Sequence, residues 1–237
     1  MFIPLRDENT LKSIPFQYVT VSLIVINVAV YLLEVGALQF GGVDEATLAT
    51  LSLTPKTLLA GGAVSGSGHG DVFPFMRGIT LFTYMFLHAD IVHLTGNILF
   101  LWVFGDNVED AMGHVRFLFF YLACGVFAGL FHCWMVPNSD LPTIGASGAI
   151  SGVIAAYLML HPRVGVWVLA FKFIPLRISA GLVLGLWIVL QVAMIALHAD
   201  GTIAWWAHIG GLIAGAVLVV VLRRPGVPLF DKGTRLA

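Results

Sequence analysis

The chain has 237 residues, of which 59% are hydrophobic and only 11% charged, with a mean hydropathy of +0.94. No ordinary soluble domain of this size has that composition, and a net charge of −1 with no basic face argues against a nucleic-acid partner. Cys124 and Cys133 fall nine residues apart in one expected apolar helix, so a bridge between them is not expected.

A spanning helix needs about 20 apolar residues, and six runs qualify. Residues 1–16 read as a short polar tail, whose charge and proline argue against a cleavable signal, so the first run, 17–37, is expected to be a retained helix. A long connection, 38–80, follows, with a short helix expected around Asp44–Leu59 and a glycine and serine run over Gly61–Gly70. The second run covers 82–105 and carries Thr83, His88, Asp90, His93, Thr95 and Asn97 in its first half. A loop around Gly105–Asp110 leads to the third run, 115–136, and the fourth, 143–161, ends at His161-Pro162-Arg163. Residues 164–177 are apolar but broken by Lys172, Pro175 and Arg177, which suits an interfacial stretch better than a crossing. The fifth run is 178–197; Ala199-Asp200-Gly201 turns the chain into the sixth, 202–222, and a short tail, 224–237, closes it.

The expected fold is therefore an all-α polytopic membrane protein with six transmembrane helices in one domain, 17–223. With the N-terminus inside, the inner segments hold Arg6, Lys12, Arg116, Arg163, Lys172, Arg177, Arg223, Arg224, Lys232 and Arg235, leaving only Lys56 and Arg77 of the twelve basic residues outside. The excess of inner positive charge places both termini in the cytoplasm. Runs two, four and six then cross in the same direction. At 1.5 Å per residue, His93, Asn97, Ser147 and His208 all fall roughly 6–15 Å below the outer edge.

Strongly polar groups at that depth mark a protein interior or a water-filled cavity. Ser147 lies in Gly145-Ala146-Ser147-Gly148 at the start of an apolar helix, where free backbone N–H groups and the helix dipole favour negative charge. His208 is the candidate base for the Ser147 hydroxyl, and with no acidic residue expected at that depth the pair is a dyad. His93 and Asn97, four apart on one helical face, are candidate oxyanion donors, and Gly145 and Gly148 leave room for a substrate backbone. Quieter readings accompany these. Gly148 with Gly152, and Gly211 with Gly215, have the spacing of membrane helix packing, Ser151 can bond its own helix carbonyl, and His114, His132, His161 and His198 read as structural. His88 and His93 are poorly spaced for one helical face and no His-Glu-x-x-His occurs, so no metal and no cofactor are expected.

Together Gly145-Ala146-Ser147-Gly148, Ala207-His208-Ile209-Gly210-Gly211 with Gly215, and His93-Leu94-Thr95-Gly96-Asn97 resemble the motifs of the rhomboid intramembrane serine proteases. The similarity covers about 16–223. It implies a six-helix endopeptidase of the cell (inner) membrane that cleaves transmembrane segments of other proteins near the outer bilayer face. Ser147 matches the nucleophile, His208 the base, and His93 with Asn97 the oxyanion partners, while Gly211 and Gly215 would pack the sixth helix on the fourth. The chain departs from some members in having Ser151 where they carry a tyrosine, so a ring against the base must come from elsewhere, with Trp205 and Trp206 as candidates, and in having Ala111 where some relatives place an arginine. Two other classes remain open: a catalytically silent relative that binds membrane clients, and a small transporter.

Overall fold

The computed structural model describes residues 2–39, 49–59, 74–170, 173–197 and 203–231. Strand β1 (Phe2–Asp7) is followed by helices α1 (Tyr18–Gln39), α2 (Pro55–Leu59) and α3 (Pro74–Thr83) and a 3-10 turn (Tyr84–Phe86). Then come α4 (Ile91–Met112), α5 (His114–Met135), α6 (Ser147–Leu160), strands β2 (Gly165–Ala170) and β3 (Ile174–Ser179), α7 (Ala180–Ala196) and α8 (Trp205–Leu222). The protein is a polytopic helical membrane protein. Helices α1, α4, α5 and α8 are long and apolar enough to cross a bilayer, while α6 and α7 are apolar but shorter. The glycine and serine run, His198 and the Ala199–Gly201 turn lie outside the described residues, as do residues 44–48 of the expected Asp44–Leu59 helix, whose described remainder is helical at 49–51 and in α2.

Helix α6 is the centre of the bundle. Its 14 residues span about 21 Å, less than the roughly 30 Å of a hydrocarbon core. It needs no more, because nearly every residue from Gly148 to Tyr157 is buried against protein rather than lipid. Around it pack Phe104, Phe117, Phe120 and Tyr121, none of them exposed. Lipid-facing side chains such as Leu33, Val115, Trp134 and Val221 sit on the outer helices at 70% exposure or more. Helices α6 and α8 meet backbone to backbone. A Cβ on Gly211 would land on the Gly148 carbonyl oxygen, and one on Gly215 on that of Gly152, so these glycines set the spacing of the two helices.

Three expectations need correction. Gly105–Asp110 is not a loop: α4 runs on to Met112, and its last turns are buried. The acidic residues that suggested a loop are helix side chains with interior partners. Glu109 accepts from the first-turn N–H groups of α1, Val19 N at 3.0 Å and Thr20 N at 2.8 Å, and from the Thr20 hydroxyl at 2.7 Å. It thereby caps a helix it does not belong to. Asp110 accepts from the backbone of Lys12, Ser13 and Ile14 at 2.6–3.0 Å. The His114 ring fills the remaining side of Glu109, at 2.5 Å, where Ala111 supplies no charge.

The second correction concerns α4's start. Thr83 closes α3, His88 lies in the linker, and Asp90 caps α4 by accepting from His93 N at 2.8 Å. Third, the fold is not all-α. The tail strand β1 pairs antiparallel with β2, and β2 with β3, in a three-stranded sheet. The stretch 165–170 alternates: Val166 and Val168 are buried, while Trp167 and Leu169 are not. The sheet is held at the C-terminal ends of α4 and α6, because Asp7 accepts from the Tyr157 hydroxyl at 2.6 Å and from Asn107 Nδ2 at 2.9 Å. Burial lifts the Asp7 carboxyl from 3.8 to about 6 despite those bonds. The Arg177 guanidinium, bonded to both oxygens of Glu8, holds that carboxyl below its usual range.

Candidate active site

The approach to α6 is fixed before the helix begins. Residues Leu53 and Thr143 exchange both backbone bonds, at 2.8 and 3.0 Å, and Gly145 N donates to Tyr84 O at 2.8 Å. Gly145 has φ +119°, a region that side-chain-bearing residues rarely enter. This turn lets the helix start at Ser147, so the N–H groups of its first turn have no intrahelical acceptor.

Ser147 Oγ lies 2.9 Å from His208 Nε2, a hydrogen bond between α6 and α8. The other serine is differently placed. Ser151 Oγ donates to Ser147 O at 2.7 Å and is fully buried, so its hydroxyl is spent on its own helix. The ring of His208 is buried between two indoles: Trp205 meets it edge-on at 6.0 Å, and Trp187 lies tilted at 5.8 Å. Trp206 turns away and packs on Phe131. Trp187, which the sequence did not single out, thus joins Trp205 in holding the imidazole.

His93 and Asn97 come to the same place from α4. A Cβ built on Gly145 would fall 2.6 Å from His93 Nε2 and 3.7 Å from Asn97 Nδ2, so the open face of that glycine looks at both side chains. Gly148 has a different setting. Its missing side chain would meet Ala128 Cβ at 2.8 Å and the Tyr84 hydroxyl at 3.3 Å, so this face is packed against neighbours. Gly211 and Gly215 lie on α8 one and two turns beyond His208, against α6.

Two supporting residues escaped the sequence. His88 holds Asn97: its Nδ1 lies 3.2 Å from Phe86 O and its Nε2 3.0 Å from Asn97 Nδ2. The carbonyl requires a proton on Nδ1, leaving Nε2 to accept from the Asn97 amide. Gln191 of α7 stands behind His208, with its Oε1 2.7 Å from Nδ1. A clue to Gln191 existed in the sequence, as a lone amide in an otherwise apolar run.

Beside these groups lies a cavity of about 490 Å³, lined in part by His93, His132, Ile144, Met194, Trp205 and Trp206. Among the described residues, His132 Nδ1 and Trp205 Nε1 are buried there without a hydrogen-bond partner. Among the described residues no group of three or more His, Cys, Asp or Glu side chains is placed to hold a metal ion.

A family model described as "Rhomboid domain" matches residues 76–225. The chain is 32% identical over 185 residues to the "Rhomboid protease GluP" of Bacillus subtilis (strain 168), covering 76% of this chain and 32% of that protein. It is 26% identical over 170 residues to "RHOMBOID-like protein 12, mitochondrial" of Arabidopsis thaliana, covering 65% of this chain and 49% of that protein. With "Rhomboid protein 1, mitochondrial" of Saccharomyces cerevisiae the identity is 29% over 149 residues, or 59% and 40% of the two chains. The chain spans half or less of the length of these relatives.

Proposed function

Since the chain belongs to the rhomboid family, we propose that it is an intramembrane serine endopeptidase that cleaves transmembrane segments of other membrane proteins. The observation that carries the reading is the 2.9 Å bond between Ser147 Oγ and His208 Nε2. In the proposed reaction His208 Nε2 takes the hydroxyl proton as Ser147 Oγ attacks the scissile carbonyl carbon. The oxyanion that forms is met by the first-turn N–H groups of α6 and by Asn97 and His93. His208 then gives its proton to the leaving amine, the peptide bond breaks, and an acyl-enzyme on Ser147 remains. Water, deprotonated by the same nitrogen, hydrolyses the ester and restores the hydroxyl. No cofactor takes part.

The topology that suits this chemistry has six crossings, the four long helices together with α6 and α7, in a membrane domain of 17–223. The inner positive charge puts both termini in the cytoplasm of a cell with the protein in its inner membrane. The Ser147 end of α6 then faces outward, and the cavity beside His93 and Trp205 admits water from that side.

The test is cleavage of a transmembrane reporter by the full chain in liposomes. Ser147→Ala and His208→Ala are each expected to lower kcat/KM by about 10³-fold or more, while Ser151→Ala keeps most of the activity. A fluorophosphonate should label the wild type and not Ser147→Ala. Undiminished cleavage in either of the first two variants would refute the dyad. Absence of both cleavage and labelling in the wild type would favour a client-binding or transport role.

A further inference from the structure

Gln191 is 2% exposed, in a helix whose other long side chains are apolar. A buried amide is unfavourable unless both of its ends are bonded, and here each end has one partner. Its Nε2 donates to Trp187 O, one turn back, at 3.3 Å, and its Oε1 lies 2.7 Å from His208 Nδ1. Turning the amide over would set Oε1 against the Trp187 carbonyl, acceptor against acceptor. The backbone of α7 therefore dictates which end faces the histidine.

An amide oxygen can only accept, so Nδ1 must carry the hydrogen. A neutral imidazole has one, and Nε2 is then left with its lone pair directed at Ser147 Oγ. We propose that Gln191 is a positioning residue that holds His208 in the Nδ1-protonated tautomer and so turns its basic nitrogen toward the nucleophile. The proposal rests on the proteolytic reading and deepens it: the dyad has a third, uncharged member supplied by α7. A carboxylate would orient the ring in the same way, but burying a charge in a membrane helix is far more unfavourable than burying an amide. The amide supplies direction without that charge. It also ties catalysis to the seating of α7, since neither Ser147 nor His208 lies on that helix.

Among the described residues the ionisable groups that act on His208 are His93 from α4 and His132 from α5, so a carboxylate introduced at position 191 adds an acidic group to a ring otherwise faced by imidazoles. The experiment uses the full chain in liposomes with a transmembrane reporter and compares wild type, Gln191→Met and Gln191→Glu. Gln191→Met fills the same space without an acceptor and should lower kcat about 10- to 30-fold with KM nearly unchanged, the effect of leaving a buried N–H donor without its partner. Gln191→Glu should keep more of the rate and move the acid limb of kcat/KM to higher pH by about one unit, because a carboxylate stabilises the imidazolium.

Histidine ¹⁵N spectra provide a readout independent of turnover, with His208 protonated at Nδ1 in the wild type and mixed in Gln191→Met. A wild-type kcat and limb in Gln191→Met, or an unmoved limb in Gln191→Glu, would overturn the proposal. If Gln191→Met fails to fold, Gln191→Glu, nearly the same shape as glutamine, still decides. If the wild type cleaves nothing, the proteolytic reading falls, and an Nε2-protonated His208 in the spectra would separately remove the role of Gln191.

Discussion

Substituting Gly211 by alanine adds one methyl group at the tightest point of the bundle. The new Cβ would fall on the Gly148 carbonyl oxygen and 3.0 Å from Ser151 Cβ. Neither neighbour can rotate away, because one is helix backbone and the other is fully buried. Normal contact requires α6 and α8 to part by about 1 Å. Gly148 adjoins Ser147, and Gly211 lies three residues from His208, so the separation acts on the dyad almost undiluted. The 2.9 Å bond between them would open to about 4 Å, beyond hydrogen-bond reach. A misplacement of 1 Å can lower a catalytic rate about 10²-fold, and forcing a packed interface apart costs about 1–3 kcal/mol of stability. The measurements are kcat/KM on a transmembrane reporter and the thermal unfolding midpoint in the same detergent. Gly185→Ala is the control, because a Cβ there meets nothing within 4 Å, and it should leave activity unchanged with stability equal or slightly higher. Wild-type kcat/KM and midpoint in Gly211→Ala would refute the claim that backbone contact between these helices sets the dyad.

Two further outcomes follow from the supporting shell and the three-stranded sheet. Asn97→Ala should lower kcat about 10²- to 10³-fold with little change in KM, the effect of removing one oxyanion donor; His88→Ala should do the same more weakly, and equal rates for all three proteins would exclude the pair from catalysis. Asp7 offers a pH test. Its folded-state value of about 6 lies above the ordinary 3.8, so the folded protein holds this proton more tightly than the unfolded chain. Its contribution to stability is therefore full below about pH 4 and is lost as the pH rises through about 6, a change of about 3 kcal/mol. Asp7→Asn keeps an oxygen for Tyr157 and Asn107 but cannot ionise, so the unfolding midpoint or the hydrogen exchange of residues 2–7 should lose that slope; an unchanged slope would contradict the burial argument.

The sequence by itself determined the helical membrane class, because a continuous apolar run in a bilayer must close its backbone bonds within itself, as a helix does. It also brought out Ser147, His208, His93 and Asn97, since polar groups in apolar runs stand out whatever their partners. What it obscured were interactions whose two ends lie far apart in the chain. Glu109 and Asp110 read as a loop because acidic residues at the end of a run usually face water; their partners, the amides of residues 12–20, are some 90 positions away. Strand β1 read as a tail because a single strand has no signature without the hairpin it joins, and that hairpin begins at Gly165. Gln191 and His88 were equally obscure. Each acts through one bond to a residue that itself looked functional, and only the packing of α7 on α8, and of the linker before α4 on α4 itself, brings those bonds to length. The apolar pattern decides which segments enter the membrane, a local property of the chain. Which nitrogen of His208 faces Ser147 depends on a carbonyl, an amide and an imidazole from two different helices, and only the tertiary structure sets that.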